Sequence, residues 1–502
     1  MTTAKRSIGR IEVCAELVAD TPLRIGSARS TSDIDLTVLR DGRGRVLVPG
    51  DSLAGAMRAW ASTAFRNEGT ERENRLVNQL FGQAVGGGSE RLANAGLVTV
   101  SDAAVDATVE ARTGVGIDRA TGAAAPEVFY SFEVIPRGIR LPLHIEVELP
   151  WEETNRSKVR AALGSLLQAL GNGEISVGGM RARGLGEVHL DIEKLNIREF
   201  LYTDAVTTRK ALAGGSKLEL SMLSVADVEP RRRLIAVVEW SPGGAVLSKD
   251  AHDGLGVDTL PLMSEIGNGK LAAVLPGSSL KGVLRARAEW FCRTLAGTDV
   301  QPALTGSEFL AQISGITPVD LLFGIANRDQ QDKEAVGRRG ALNILDCYAK
   351  MNIDQATWRE IVEAVDDQAV AHSVDKRAQG HFDPAMHVAI DRFTGGAAES
   401  LLYSVLEVRT PEWQPLVLTL DLEQLSRGTT QAQQHEAIGL FHVLLKMLRH
   451  DMVRLGFGTM RGAGRMKVKK VEINQTPDAD GYESDRTTGL KALTALFSNE
   501  AT

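Results

Sequence analysis

Two glycine-rich runs each carry an arginine in a setting suited to phosphate contact. In VGGMRARGLGEV, Arg183 precedes Gly184 and Gly186; in LGFGTMRGAGRM, Arg461 precedes Gly462 and Gly464. Glycines leave no side chains in the way, so the main chain can approach a sugar-phosphate backbone while the guanidinium pairs with its charge. A tight helix-to-strand turn would use glycines in the same way. Other chemistry is thinner. His372, His381 and His387 cluster, but their spacing fits no compact helical metal site. Cys14, Cys292 and Cys347 lie far apart with no CxxC pair, which argues against zinc and against a disulfide framework.

The glycine loops belong to a larger pattern, because four segments occur twice in the same order. VPGDSLAGAMRAW (from Val48) pairs with LPGSSLKGVLRARAEW (from Leu275), sharing Pro-Gly-x-Ser-Leu-x-Gly-x-x-Arg. LFGQ at Leu80 and LVTVSDA ending at Ala103 pair more loosely with LFGI at Leu322 and LNILDC ending at Cys347. Ile117-Asp118-Arg119-x-Thr121-Gly122, followed by Tyr130-Ser131, pairs with Ile390-Asp391-Arg392-x-Thr394-Gly395 and Tyr403-Ser404. The glycine loops are the fourth pair. The offset grows from 227 (Pro49 to Pro276) to 273 (Asp118 to Asp391), so the second copy holds 46 extra residues, expected at about 325–380. The reading is a first domain at 8–195, a connector at 196–231, a second domain at 232–475 and a polar tail at 476–502.

Each copy needs elements that present these segments. Branched residues predict an opening strand at Ile11 to Val18 and at Leu234 to Trp240. Apolar residues then recur at helical spacing, Leu53, Met57 and Trp60 in one copy and Leu280, Leu284, Ala288 and Phe291 in the other. Ser52 and Ser279 stand near those helix starts as expected caps. A second helix, Ser157 to Leu170 and Gln433 to Met447, leads into the glycine loop and a closing strand. The order suits an α+β protein of two tandem RRM-like, ferredoxin-like domains, each a sheet with helices on one face.

Composition bounds the rest. At 502 residues the chain exceeds one usual hydrophobic core, and 43% hydrophobic residues suffice to build two. A net charge of −7 argues against a uniformly basic, nucleic-acid-coating surface, so any phosphate contact must be local. The 50 glycines fit backbone turns or close ligand approach. The amino-terminal residues lack a secretory apolar stretch and no 18-residue apolar run occurs, so a soluble, cytoplasmic protein with no membrane partner is expected.

Together the four duplicated signatures resemble the RAMP superfamily, most closely the backbone subunits of type III CRISPR effector complexes. The resemblance implies an RRM-like palm, a β-hairpin thumb and a glycine-rich loop near RNA. It implies as partners a guide RNA, a complementary target RNA and other effector subunits. Phosphate contacts would come from the helix-entry segments, through Ser52 and Arg58 and through Ser279, Lys281 and Arg285, with Ala54 standing where the family usually shows lysine. Well-capped core helices are the plainer reading. Thumb residues Arg119 and Arg392, and the loop residues Arg183, Gly184, Gly186, Arg461, Gly462 and Gly464, complete the expected contacts. Phe129 with Tyr130, and Phe393 with Tyr403, are candidates to wedge between bases, while a solvent-facing hairpin is the alternative.

Target cleavage in the family depends on an aspartate between the first strand and first helix, which places Asp35 and Asp258 at the catalytic position. Asp33, Asp250 and Asp253 are near enough to be alternatives, and loop aspartates also simply form turns. The carboxylate would deprotonate an attacking 2′-hydroxyl or hold a divalent metal, Mg2+ or Mn2+. No histidine precedes His144, which removes the early histidine of guide-processing relatives from the first copy. The implied function is an RNA-guided, metal-dependent endoribonuclease subunit for antiviral defence, with a non-catalytic guide-binding scaffold as the alternative.

Overall fold

The computed structural model describes residues 7–27, 29–65, 75–82, 95–226, 228–325, 337–476 and 487–493. In the first copy, strand β1 (Ser7–Ala19) alternates inward and outward residues, and Ile11, Val13 and Leu17 are fully buried. They pack with Leu53 and Met57 of helix α1 (Gly50–Ala64) and with Val159 and Leu163 of α3 (Glu153–Gly171). A period of two in the strand and about 3.6 in the helices puts these apolar stripes on facing surfaces. Between α1 and α3 come α2 (Arg75–Phe81), β2 (Val98–Val100), a hairpin of β3 (Glu110–Ile117) and β4 (Ala124–Val134), and β5 (Arg140–Pro150). After α3 the chain returns through β6 (Val188–Leu190) and β7 (Asn196–Leu201).

The sheet order is β7–β1–β5–β2, with β6 pairing the far end of β1, and every pairing is antiparallel. The second copy repeats the plan. It runs β8 (Arg233–Pro242), α4 (Gly277–Ala296), α5 (Gly306–Gln312), α6 (Thr317–Phe323) and β9 (Leu342–Ile344). Next come α7 (Gln355–Val362), α8 (Asp367–Arg377), the hairpin β10 (Phe382–Ile390) and β11 (Ala397–Val408), β12 (Leu416–Asp421), α9 (Gln431–Arg449) and β13 (Met466–Thr476). Its sheet order, β9–β12–β8–β13, is that of the first copy. Both are ferredoxin-like sheets with two helices on one face.

Three boundaries differ from the sequence reading. The expected connector begins inside the first sheet, because β7 pairs with β1 from Gly9↔Leu201 to Cys14↔Asn196. The closing strand is broken by a short turn at Ile192–Lys194, and that break is where sequence ended the domain. The extra residues of the second copy fall in two places, since the Leu80 to Leu322 pairing is already 15 positions out of register with Pro49 to Pro276. Helix α5 lies in the first portion, and α7 and α8 lie in the second. Of the expected polar tail, residues 477–486 and 494–502 lie outside the described residues, while residues 487–493 are helical and bury Leu493 in the second core.

Candidate nucleic-acid interface

The duplicated sequence motifs turn out to hold one another. The Pro-Gly at each helix entry is a close approach: a Cβ on Gly50 would meet the Val100 carbonyl at 2.0 Å, and one on Gly277 the Ile344 carbonyl at 2.2 Å. The freed N–H groups of the helix starts are satisfied from within, Gly50 N–H donating to Asp102 at 2.8 Å and Gly277 N–H to Asp346 at 2.7 Å. Those carboxylates occupy the place where a phosphate was expected. Ser52 and Ser279 lie inside the first turn and make no capping bond, the N-cap positions being Pro49 and Pro276.

The shared arginine of this motif turns toward the Leu-Phe-Gly motif. Arg58 donates to the Phe81 carbonyl and to Asn78, both at 3.4 Å. Arg285 donates to the Gly324 carbonyl at 2.9 Å and pairs with Glu289 at 2.8 Å. Both guanidiniums therefore brace the end of the next helix instead of facing solvent.

At the root of each hairpin the two copies build the same arrangement. The Asp35 carboxylate accepts from Ser131 N–H at 2.8 Å and from its hydroxyl at 3.1 Å. The Asp258 carboxylate accepts from Ser404 N–H at 2.7 Å and from its hydroxyl at 3.0 Å. In both, these bonds go to Oδ2, and both residues are exposed. The preceding hairpin residue ties in the glycine loop, because Arg183 bonds the Tyr130 hydroxyl and Arg461 bonds the Tyr403 hydroxyl. Arg461 also lies over the rings of Tyr403 and Phe457, each at 5.0 Å. Adjacent residues of one strand thus hold an exposed carboxylate and an exposed guanidinium, twice.

The loops hold this shape through glycine. Gly186 has φ +96° and Gly464 φ +79°, and a Cβ would meet the Val177 or Leu455 carbonyl at 2.5 or 2.3 Å. The aspartates held in reserve sit otherwise: Asp250 accepts from His252 N–H at 2.9 Å, and Asp253 pairs with Lys249 at 3.3 Å. Asp33 contributes its carbonyl to the Ser131 hydroxyl at 3.2 Å. Of the histidines, His387 stacks on Tyr403 and His381 bonds Thr410.

Two expected contacts lie in the joint between the copies. Lys281 is buried, donating to the Ala182 carbonyl at 3.0 Å and the Leu342 carbonyl at 2.7 Å. Burial pushes its pKa down to about 7, aided by the cations Arg183, Arg285 and Arg339. Arg119 pairs at 2.6 Å with Glu289 of α4, which is 1% exposed. Neither offers its charge at the surface. The turn around Arg119 is equally engaged: Asp118 accepts from Ala303 N–H at 2.6 Å and from Gln312 at 2.9 Å, and these and local hydrogen bonds hold its carboxyl far below the usual range. The hairpin root adds Arg112, buried against Asp346 at 2.7 Å and Glu110 at 3.6 Å. By contrast Arg392 is exposed, as are Phe129 and Phe393.

A family model for the RAMP superfamily matches residues 16–189 and 256–467. The chain belongs to the RAMP superfamily. The two matches cover more than three quarters of the sequence, one for each copy, so this is a tandem RAMP protein. A search of the curated proteins finds no match. Family membership points to an RNA-binding subunit of a CRISPR type III complex. No helix among the described residues is long and apolar enough to cross a membrane.

Sequence reasoning on this RAMP protein missed Ser131, Ser404, Asp102 and Asp346 as functional partners, although each recurs in register and repetition of a polar residue was the available signal. It also missed Arg112, Glu289 and Gln312. For the first two no such signal existed, since their counterparts are Ala385 and Ser62.

Proposed function

We propose that this RAMP protein is a guide-RNA-binding backbone subunit of a type III CRISPR complex that cleaves complementary target RNA at two positions, one for each copy. The observation that carries the reading is the twofold recurrence of an exposed carboxylate, clamped through one oxygen by a hairpin serine, together with an exposed glycine-loop arginine held by the tyrosine that precedes that serine. Hydrogen bonds from Ser131 or Ser404 fix the orientation of Asp35 or Asp258. Oδ1, free of hydrogen bonds from other described residues, is left to accept the 2′-hydroxyl proton or to bind a divalent ion. Arg183 and Arg461, exposed at the same two hairpins, pair with phosphates of the RNA backbone.

Mg2+ or Mn2+ fits a hard, exposed carboxylate oxygen and would stabilise charge on the transferring phosphate. Each site offers one carboxylate, so the remaining ligands would be RNA oxygens and water. Among the described residues no group of three or more His, Cys, Asp or Glu converges on one point.

The test is to assemble the complex on a guide with Asp35→Ala or Asp258→Ala and map the target fragments with and without chelator. Each substitution should abolish one distinct cut, slowing it at least about 100-fold, and leave the other. Unchanged fragments from both variants would reject cleavage here and leave guide binding as the activity, as a scaffold requires.

A further inference from the structure

The two copies leave a cavity of about 720 Å³ between them, lined from the C-terminal half of α1 and so away from its Pro-Gly entry. Ala56, Ala59 and Trp60 of α1 give it an apolar wall from the first copy, and Asn343 of β9 and Thr419 of β12 line it from the second. Five arginines share the lining: Arg181 of the glycine loop, Arg231 and Arg233 where the chain enters β8, and Arg339 and Arg427 of the second copy. Four carboxylates stand among them, Glu174, Glu187, Glu229 and Asp421, and two of these are engaged. Asp421 pairs with Arg231 at 2.6 Å and with Arg339 at 3.6 Å, and Glu174 accepts from the Trp60 indole N–H at 3.1 Å. Arg181, Arg233 and Arg427 have no ion-pair or side-chain hydrogen-bond partner among the described residues.

This is a cluster of like charges that the protein does not compensate from within. Arg181 and Arg233 are half-buried, and Arg231 Nε is buried without a partner. Burial, and then the charge of Arg231, pushes Arg181 and Arg233 below the usual arginine range. Shielded cations of this kind are costly until an anion joins them. A guanidinium fork matches phosphate oxygens, and the volume lies within the roughly 300–1,000 Å³ of small-molecule sites. We propose that the cavity binds a free nucleotide, its phosphates on Arg181, Arg233 and Arg427 and its base against Ala56, Ala59 and Trp60. The site goes beyond the RNA reading. The second glycine loop has Thr459 where Arg181 stands, so this arginine serves the cavity and not a function that the two loops share. Two residues on, Arg183 turns to the hairpin instead, bonding the Tyr130 hydroxyl.

The experiment titrates radiolabelled ATP onto the full-length protein by equilibrium dialysis, in chelator so that no divalent ion bridges it elsewhere. Saturable, stoichiometric binding supports the inference when it weakens about tenfold or more in Arg181→Gln and in Arg233→Gln while the copurifying RNA is unchanged. No binding at millimolar ATP, or equal binding by the wild type and both variants, would overturn it. Competitors separate the sources of phosphate. Displacement of ATP by single-stranded RNA, or joint loss of ATP and RNA in the variants, would assign the cavity to an RNA strand and overturn the proposal. Inorganic tripolyphosphate binding as tightly as ATP would deny the base any part and overturn the choice of a nucleotide. The wild type alone gives a reading that does not depend on how the variants fold: ATP should raise its thermal midpoint, and an unchanged midpoint at millimolar ATP would count against the site.

Discussion

The Asp-Arg-x-Thr-Gly turn occurs twice with one internal geometry and two surroundings. In the first copy it is clamped by α4 and α5, and in the glycine loop of that copy a Cβ on Gly184 would lie 2.5 Å from the Ile344 carbonyl. In the second copy the turn is exposed, and among the described residues a Cβ on Gly462 would meet nothing within 4 Å. The same residues therefore serve as a covalently tethered joint at one end and as an open end at the other. The joint also holds a buried Arg112–Asp346 pair, and the counterpart of Arg112 in the second hairpin is Ala385.

The sharpest way to break the comparison is at the buried ion pair. Glu289→Ala leaves Arg119 without its partner inside the joint and should cost about 3–5 kcal/mol, whereas Arg392→Ala at the free turn should stay within about 0.5 kcal/mol. Denaturant unfolding of the two variants measures the difference, and equal losses would mean that the two turns are not in different settings. Next in size is the glycine pair. Gly184→Ala and Gly462→Ala share a left-handed backbone strain of about 1–2 kcal/mol, and Gly184→Ala adds a clash with the second copy, so its thermal midpoint should fall further.

A smaller effect is written in pH. Lys281 titrates at about 7 in the folded protein and near 10.4 when unfolded. Between those values the unfolded chain binds more protons, so stability rises with pH across the window. Unfolding of wild type against Lys281→Met from pH 7 to 10 should show that rise in the wild type and lose it in the variant. The first copy has Ala54 at this position and supplies no such term. The smallest expected effect is on salt dependence: Arg461→Ala should lower the slope of log affinity for guide RNA against log salt by about one, while Arg58→Met, which removes a bracing contact, should leave it unchanged.

The architecture was legible because repetition marks equivalent positions. The paired opening strands, the first helices and the glycine loops all appear where their spacing placed them, extended by a few residues. Asp35 and Asp258 sit at matching places beside the hairpin roots, a relation that the variable distance to Pro49 and Pro276 could not reveal. The helix-entry residues were the hardest to read. A Pro-Gly-x-Ser-Leu segment looks the same whether its N–H groups meet a phosphate or an internal aspartate, and the choice lies with Asp102 and Asp346, more than fifty residues away.

Residue types and periodicity by themselves determined that there are two copies, each with a strand-led sheet, a helical face and a glycine loop carrying one arginine. Those features depend on short-range backbone geometry and on apolar spacing, which a linear sequence records. The tertiary structure alone decided which cations face outward. Lys281 is buried, and Arg119 and Arg285 are largely covered in ion pairs, while Arg183, Arg392 and Arg461 are exposed. Burial of a charge requires a partner brought from a distant part of the chain, and that proximity exists only once the two copies are packed together.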